Sequence, residues 1–230
     1  MEITIMFKMG NCLTGIRSLS AQLLRAAVLP LWLLLAALSV AQEARATMGF
    51  EPRATVEQAV DEIVAILTDP ALAAPEAREQ RHRLVVKEVE KFFDFNEISM
   101  RTLGPRWREL SPEQRRDFVE IFKQFLEKNY IDQVDSYSGE KVEIKDQEIR
   151  EDRRGNRFAM VQTDFMTSAQ QRVAVNYKLL ERDDRWMVYD VDIEGVSLVR
   201  NFRTQFDPYS YDELISRMKR QITTGEGLEP

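Results

Sequence analysis

The sequence predicts an α+β fold in which a helical N-terminal part packs on a four-stranded antiparallel meander and further helices follow the last strand. Three observations carry this. As far as Tyr137 the apolar residues recur at helical spacing, beginning with Val56, Val60, Ile63 and Leu67. From Gly139 onward the period changes to two. Between Trp186 and Phe206 the chain then reads as strand, turn and helix: Met187, Tyr189, Val191 and Ile193 alternate with Val188, Asp190, Asp192 and Glu194. Gly195 turns the chain, and after Ser197, a candidate N-cap, Leu198, Phe202 and Phe206 recur every four residues.

Thr55 and Gln58 form a capping-box pattern for the first helix, which Asp69-Pro70 ends. A second helix is expected from Pro75 to about Phe92, with Leu84, Val85 and Val89 on its apolar side. Phe92, Phe93 and Phe95 make an aromatic corner into a short helix, Asn96 to Leu103, stopped by Gly104-Pro105. Ser111-Pro112-Glu113-Gln114 is the clearest helix start, with Ser as N-cap, Pro at the first helical position and Gln at the third. This helix is expected to reach about Tyr137, with Phe118, Phe122, Phe125, Asn129 and Tyr130 on its inner side, a stripe that suits a core or a pocket equally.

Strands follow at Lys141 to Arg150, Arg157 to Met166, Arg172 to Leu180 and from Trp186. Their short polar connections, Gly155-Asn156 and Asp183-Asp184 among them, imply an antiparallel meander. The domain reading is a single unit over 47–224, helical over 47–138, sheet over 139–195 and helical again over 196–224, with 225–230 as a disordered tail.

Residues 1–46 read as a secretory signal peptide. Lys8, Arg17 and Arg25 are the basic region, Ala26 to Val40 is the apolar stretch, and small residues allow cleavage after Ala41 or Ala46. Fifteen residues interrupted by Pro30 fall short of the roughly 20 that a bilayer core needs. The expected location is therefore the periplasm. Cys12, the only cysteine, precedes the apolar stretch, so the mature chain would have no disulfide and no thiol chemistry. Removing 1–46 takes away four basic and two acidic residues and moves the net charge from −6 to −8, which disfavours sequence-independent nucleic-acid binding. The mixed basic cluster from Arg78 to Arg83 reads as a solvated face.

Catalytic chemistry has little to build on. His82 is the only histidine and lies among charges, with no nucleophile beside it in sequence. With no mature cysteine, no metal site is expected, and no cofactor either. Asp190, Asp192 and Glu194 are the only closely spaced acids on one strand face; they are expected to face solvent or to pair with arginines, Arg203 for example. Acid/base catalysis at Asp190 on an NTF2-like fold is the alternative reading.

The run Trp-x-Val-Tyr-Asp-Val-x-Ile-Glu-Gly-Val-Ser-Leu-Val-x-Asn-Phe-Arg-x-Gln-Phe at 186–206 closely resembles the end of the MlaC (toluene-tolerance) family of periplasmic phospholipid-binding proteins. A second familial patch is Phe93-Asp94-Phe95-Asn96-Glu97-Ile98, then Gly104, Trp107 and Leu110 to Gln114. The resemblance spans roughly Val56 to Met218. One departure is the segment between Phe206 and Leu214-Ile215, several residues shorter than is usual in the family, where Ser210 and Glu213 suggest a new capping box.

The resemblance implies an MlaC-like fold and a non-enzymatic carrier that shuttles phospholipid between an outer-membrane lipoprotein complex and an inner-membrane ABC transporter with an MCE-domain subunit, maintaining outer-membrane lipid asymmetry. At about 0.8 kcal/mol per buried methylene, exposing two chains of some fifteen carbons costs on the order of 20 kcal/mol, so such a lipid needs a covering pocket. From the alternation, the expected wall between sheet and helices is Phe118, Phe122, Phe125, Val161, Phe165, Val173, Val175, Tyr177, Leu179, Tyr189, Val191 and Ile193. A hopanoid or another apolar cargo would suit the same wall.

Overall fold

The computed structural model describes residues 51–167 and 170–225. The expected signal peptide and the residues after Gly225 lie outside them. Helix α1 spans Pro52–Leu67 and opens at Pro52, with Glu51 as an N-cap that makes no side-chain bond. The expected N-cap at Thr55 is therefore four residues late. Pro52 at the first helical position lacks the N–H that would otherwise go unpaired, and its ring fixes the helical φ; Thr55 sits inside the helix, its hydroxyl donating to the Glu51 carbonyl at 3.4 Å.

Two short 3₁₀ turns, Pro70–Leu72 and Pro75–Ala77, lead into α2, Arg78–Phe92. The corner after α2 is fixed to the sheet. Phe93 bridges Val188, and the Asp94 amide donates to the Val188 carbonyl at 2.9 Å. Asp94 also caps α3, Phe95–Leu103, by accepting from the Glu97 amide. Glu97, 6% exposed, accepts from Arg101 at 2.8 Å and from Arg182 at 3.0 Å, tying α3 to the sheet. These bonds give the Phe93-to-Ile98 patch a structural reason.

Helix α4, Pro112–Tyr130, begins with the expected capping box of Ser111 and Gln114. It stops at Tyr130 rather than Tyr137. A single separate turn, α5 at Asp132–Asp135, follows. Strands β1 (Lys141–Glu151), β2 (Arg157–Met166), β3 (Arg172–Arg182) and β4 (Arg185–Ile193) form the antiparallel meander.

The sheet has five strands, not four. Glu194 and Gly195 both take positive φ, 51° and 82°, the geometry of a tight type I′ turn, which folds β5 (Val196–Ser197) back onto β4. Helix α6, Leu198–Phe206, starts from the Ser197 cap, and α7, Tyr211–Thr224, from Ser210.

A bulge decides which β4 residues face inward. Lys178 of β3 pairs with Asp190 but Leu179 pairs with Val188, so Tyr189 is the extra residue. The expected unbroken alternation from Met187 to Ile193 is corrected by this: Trp186 and Val188, not Met187 and Tyr189, continue the face of Val191 and Ile193. Trp186 and Val188 join Val56, Ala159, Val161 and Leu179 in a core between α1 and the sheet. Tyr189 turns to the other side, where the Arg101 guanidinium lies 4.0 Å from its ring centroid.

A second core lies among the helices. Phe118, Phe122, Phe125, Phe202 and Phe206 pack with ring centroids 5.4 to 6.4 Å apart, most of the contacts edge to face, and Leu214 and Met218 of α7 close the cluster.

Candidate binding site

Beside the aromatic core, α4 presents a second apolar stripe. Leu126 is one residue beyond Phe125, about 100° further round the helix, and with Tyr130 and Val134 it recurs every four residues. Across from it, α2 places Val85, Val86 and Val89. Phe93 and Phe95, stacked at 6.3 Å, and Ile98 close one end, while Val191 and Leu198 add wall from β4 and the start of α6. Between them lies a cavity of about 300 Å³.

Its lining is apolar except for Lys123 and Glu127. Lys123 reaches Glu90 at 2.8 Å and Glu120 at 3.3 Å, so its charge is balanced by carboxylates of α2 and α4. Glu127 and Tyr130, the latter 45% exposed, mark the solvent side of the lining. A cavity with so apolar a lining holds hydrocarbon well and offers few partners for a desolvated polar group.

The structure does not bring the expected wall residues together around one space. Val191 lines this cavity. Phe118, Phe122 and Phe125 lie in the helical core, essentially without exposure. Val161 and Leu179 belong to the core under α1, and Tyr177 packs against it. Phe165, Val173 and Val175 occupy the same sheet face half-buried, Phe165 opposite Val173 and Val175 opposite Thr163 across β2 and β3, while Ile193 is 45% exposed and Tyr189 faces α3. The lining from α2 and the end of α4 was not in the expected wall. Its signal was present, in Val85 and Val89 and in the Leu126, Tyr130 and Val134 repeat.

The strand acids are corrected too. Asp190 is 4% exposed and not solvent-facing. Its carboxylate accepts from Lys178 at 2.8 Å, from the Ser197 hydroxyl at 2.7 Å and from the Val199 amide at 3.1 Å. Asp192 accepts from the Gly195 amide and Glu194 from the Ala174 amide, so both hold the β4–β5 turn. Arg203 pairs with none of the three; it donates to the Arg101 carbonyl beside Gly104. With three donors on its carboxylate, Asp190 is a structural node joining β3, β4 and α6. This is a built-in reason for the Tyr-Asp-Val and Gly-Val-Ser parts of the 186–206 run.

The family model for the MlaC protein matches residues 57–220. The chain belongs to the MlaC family. Similarity to characterised members is modest in identity and broad in extent. The intermembrane phospholipid transport system binding protein MlaC of Haemophilus influenzae is 21% identical over 179 residues, covering 75% of this chain and 82% of that protein. A phospholipid-binding protein from Ralstonia solanacearum, solved in complex with a phospholipid, superposes with a TM-score of 0.63 at 24% identity, covering 75% of this chain and 97% of that one. That likeness shows that the α+β arrangement is the MlaC fold.

One further cluster lies next along the chain to the lining residues Val85, Val86 and Val134. Arg78, Arg81 and His82 of α2 converge on Asp135, at 2.6, 2.5 and 3.1 Å, and Arg78 also reaches Asp132 at 3.1 Å. Within the basic cluster Arg78, Arg81 and His82 therefore tie α2 to α5, while Arg78, Glu79, Gln80 and Arg83 keep the exposure expected of a solvated face. His82 is largely covered in this tie. Burial alone would raise the Asp135 pKa, but the hydrogen bonds from Arg81, Arg78 and His82 outweigh it and hold the carboxyl well below the usual carboxylate range.

The sign of the pH effect follows. A carboxyl with a depressed folded-state pKa contributes stability above its unfolded value, near 4, and loses it as pH falls below that. The thermal midpoint should drop on acidification from pH 5 to pH 2, and the Asp135→Asn variant should drop less than the unsubstituted protein. Equal drops would mean that the tie does not contribute.

Proposed function

We propose that this protein is a phospholipid carrier whose cavity between α2, α4, β4 and α6 takes the acyl chains. The observation that carries the reading is the cavity itself: about 300 Å³, walled by Val, Leu, Ile and Phe side chains and bordered by Lys123 and Glu127 as its only charges among the lining residues. The phospholipid-binding relatives, one named as part of an intermembrane transport system and one seen with phospholipid bound, support the same cargo.

In this reading the protein works in the periplasm by binding and release, without turnover. It receives lipid from, or delivers it to, an outer-membrane lipoprotein complex and an inner-membrane ABC transporter with an MCE-domain subunit. The volume lies at the low end of the range for small-molecule sites, so a two-chain lipid is accommodated by separating α2 from α4. Lipid then stabilises the separated arrangement in proportion to its preference for it. Of the expected wall, Val191 keeps its assignment as a cavity residue, and Val85, Val89 and Leu126 join it.

The test is extraction of the purified protein with organic solvent and identification of the cargo by mass spectrometry. Stoichiometric phospholipid is expected. A hopanoid or other apolar molecule in its place would change the cargo, and recovery of protein with no lipid, and no uptake from vesicles, would sink the carrier reading.

A further inference from the structure

One cation lines the cavity and a basic cluster stands one helical turn from its lining, and the two differ. Lys123 is held between two carboxylates on the wall. In the cluster, three basic side chains share Asp135, with Asp132 as a second, more exposed acid reached by Arg78 alone. Arg81 and His82 stand one helical turn before Val85 and Val86 on the same faces of α2, and Asp135 directly follows the cavity residue Val134. The cluster is thus at the rim of the apolar space. It is also partly screened from solvent, the Arg81 and His82 side chains being 15% and 16% exposed.

We propose that Arg78, Arg81 and His82 form a phosphate subsite for an amphiphile whose chain fills the cavity, with the Asp135 carboxylate competing for the same donors. The proposal rests on the carrier reading. Planar guanidinium groups match phosphate oxygens bidentately, and charge-assisted bonds of this kind are about twice as strong as neutral ones. The competitor is easily displaced because it sits on α5, a single turn separated from α4 at Ile131, so moving it breaks no long helix. Anion entry and loosening of the tie between α2 and α5 are then one event. That event frees the wall of α2 when a chain must enter.

The test compares lysophosphatidic acid with the monoacylglycerol of the same chain, and with inorganic phosphate, by calorimetric titration of the purified protein. The unsubstituted protein is expected to bind lysophosphatidic acid about tenfold more tightly than the monoacylglycerol, about 1.4 kcal/mol. The double variant Arg78→Gln, Arg81→Gln should lose that preference, the two amphiphiles then binding within about twofold of each other. Asp135→Asn should bind lysophosphatidic acid several-fold more tightly, and circular dichroism of each variant checks that the fold is intact.

A double variant that keeps the preference, or weakens both amphiphiles equally, would overturn the subsite. Inorganic phosphate binding as tightly as lysophosphatidic acid would also overturn it, by making this a free-anion site unconnected to the cavity. Failure of the unsubstituted protein to bind either amphiphile would remove the carrier reading, and this proposal with it.

Discussion

Replacing Phe122 with alanine is expected to destabilise the protein by about 3–5 kcal/mol, because the ring is fully buried and its surroundings relax only partly into the space it leaves. It touches four other rings, those of Phe118 and Phe125 on its own helix and Phe202 and Phe206 on α6. Each of those rings loses contacts at once, and the aromatic geometry contributes beyond area alone. Urea denaturation followed by far-ultraviolet circular dichroism measures the change. A loss under about 1 kcal/mol would mean that the helical core repacks around the void. The same experiment separates core from pocket, since a cavity-lining residue shortened to alanine removes only contacts on an already open space.

The second large effect is expected at Val89→Trp. Val89 lines the cavity from the last turn of α2, and an indole there would fill much of about 300 Å³. Phospholipid recovered by solvent extraction should fall by about tenfold or more, a loss of at least 1.4 kcal/mol in binding. The fold should survive with a cost within the 1–3 kcal/mol usual for overpacking, since part of the new side chain enters existing space. Val175→Trp provides the control. Val175 is half-buried on the sheet face opposite Thr163 and is not among the cavity-lining residues, so lipid recovery should be unchanged. If instead Val175→Trp expels lipid and Val89→Trp does not, the acyl chains bind on the sheet face and not between α2 and α4.

The contrast between these two positions reflects what local pattern can carry. The order of helices and strands was legible because each rests on nearby residues: the Ser111 and Gln114 capping box, the Ser197 cap and the Asp183-Asp184 turn with both residues at positive φ. The break of α4 at Ile131 was missed because Asp132 and Val134 continue a helical spacing, and the end of α4 is set by what α5 pairs with, Arg78 and Arg81 fifty residues away. The β4 wall was misread for a similar reason. A single extra residue at Tyr189 shifts the alternation by one, and bulges leave no mark in the hydrophobic pattern of one strand taken alone.

The acids of β4 make the point in energetic terms. In sequence, Asp190 looks like a polar outward position. In the fold it is buried, and only the arrival of Lys178 from β3, of Ser197 from β5 and of Val199 from α6 makes that burial tolerable. No spacing rule along one strand announces partners brought in from other elements.

By itself, the sequence determined the family, the α+β class and the position of nearly every element, because caps, turns and apolar periods act over a few residues. Tertiary structure decided which apolar faces meet. It sealed the Phe118, Phe122 and Phe125 stripe against α6 and α7, and left the neighbouring Leu126 and Tyr130 stripe facing α2 across open space. Both stripes recur at helical spacing, so periodicity alone cannot rank them. The distance between packed helices does, and that distance is fixed by contacts from the whole chain.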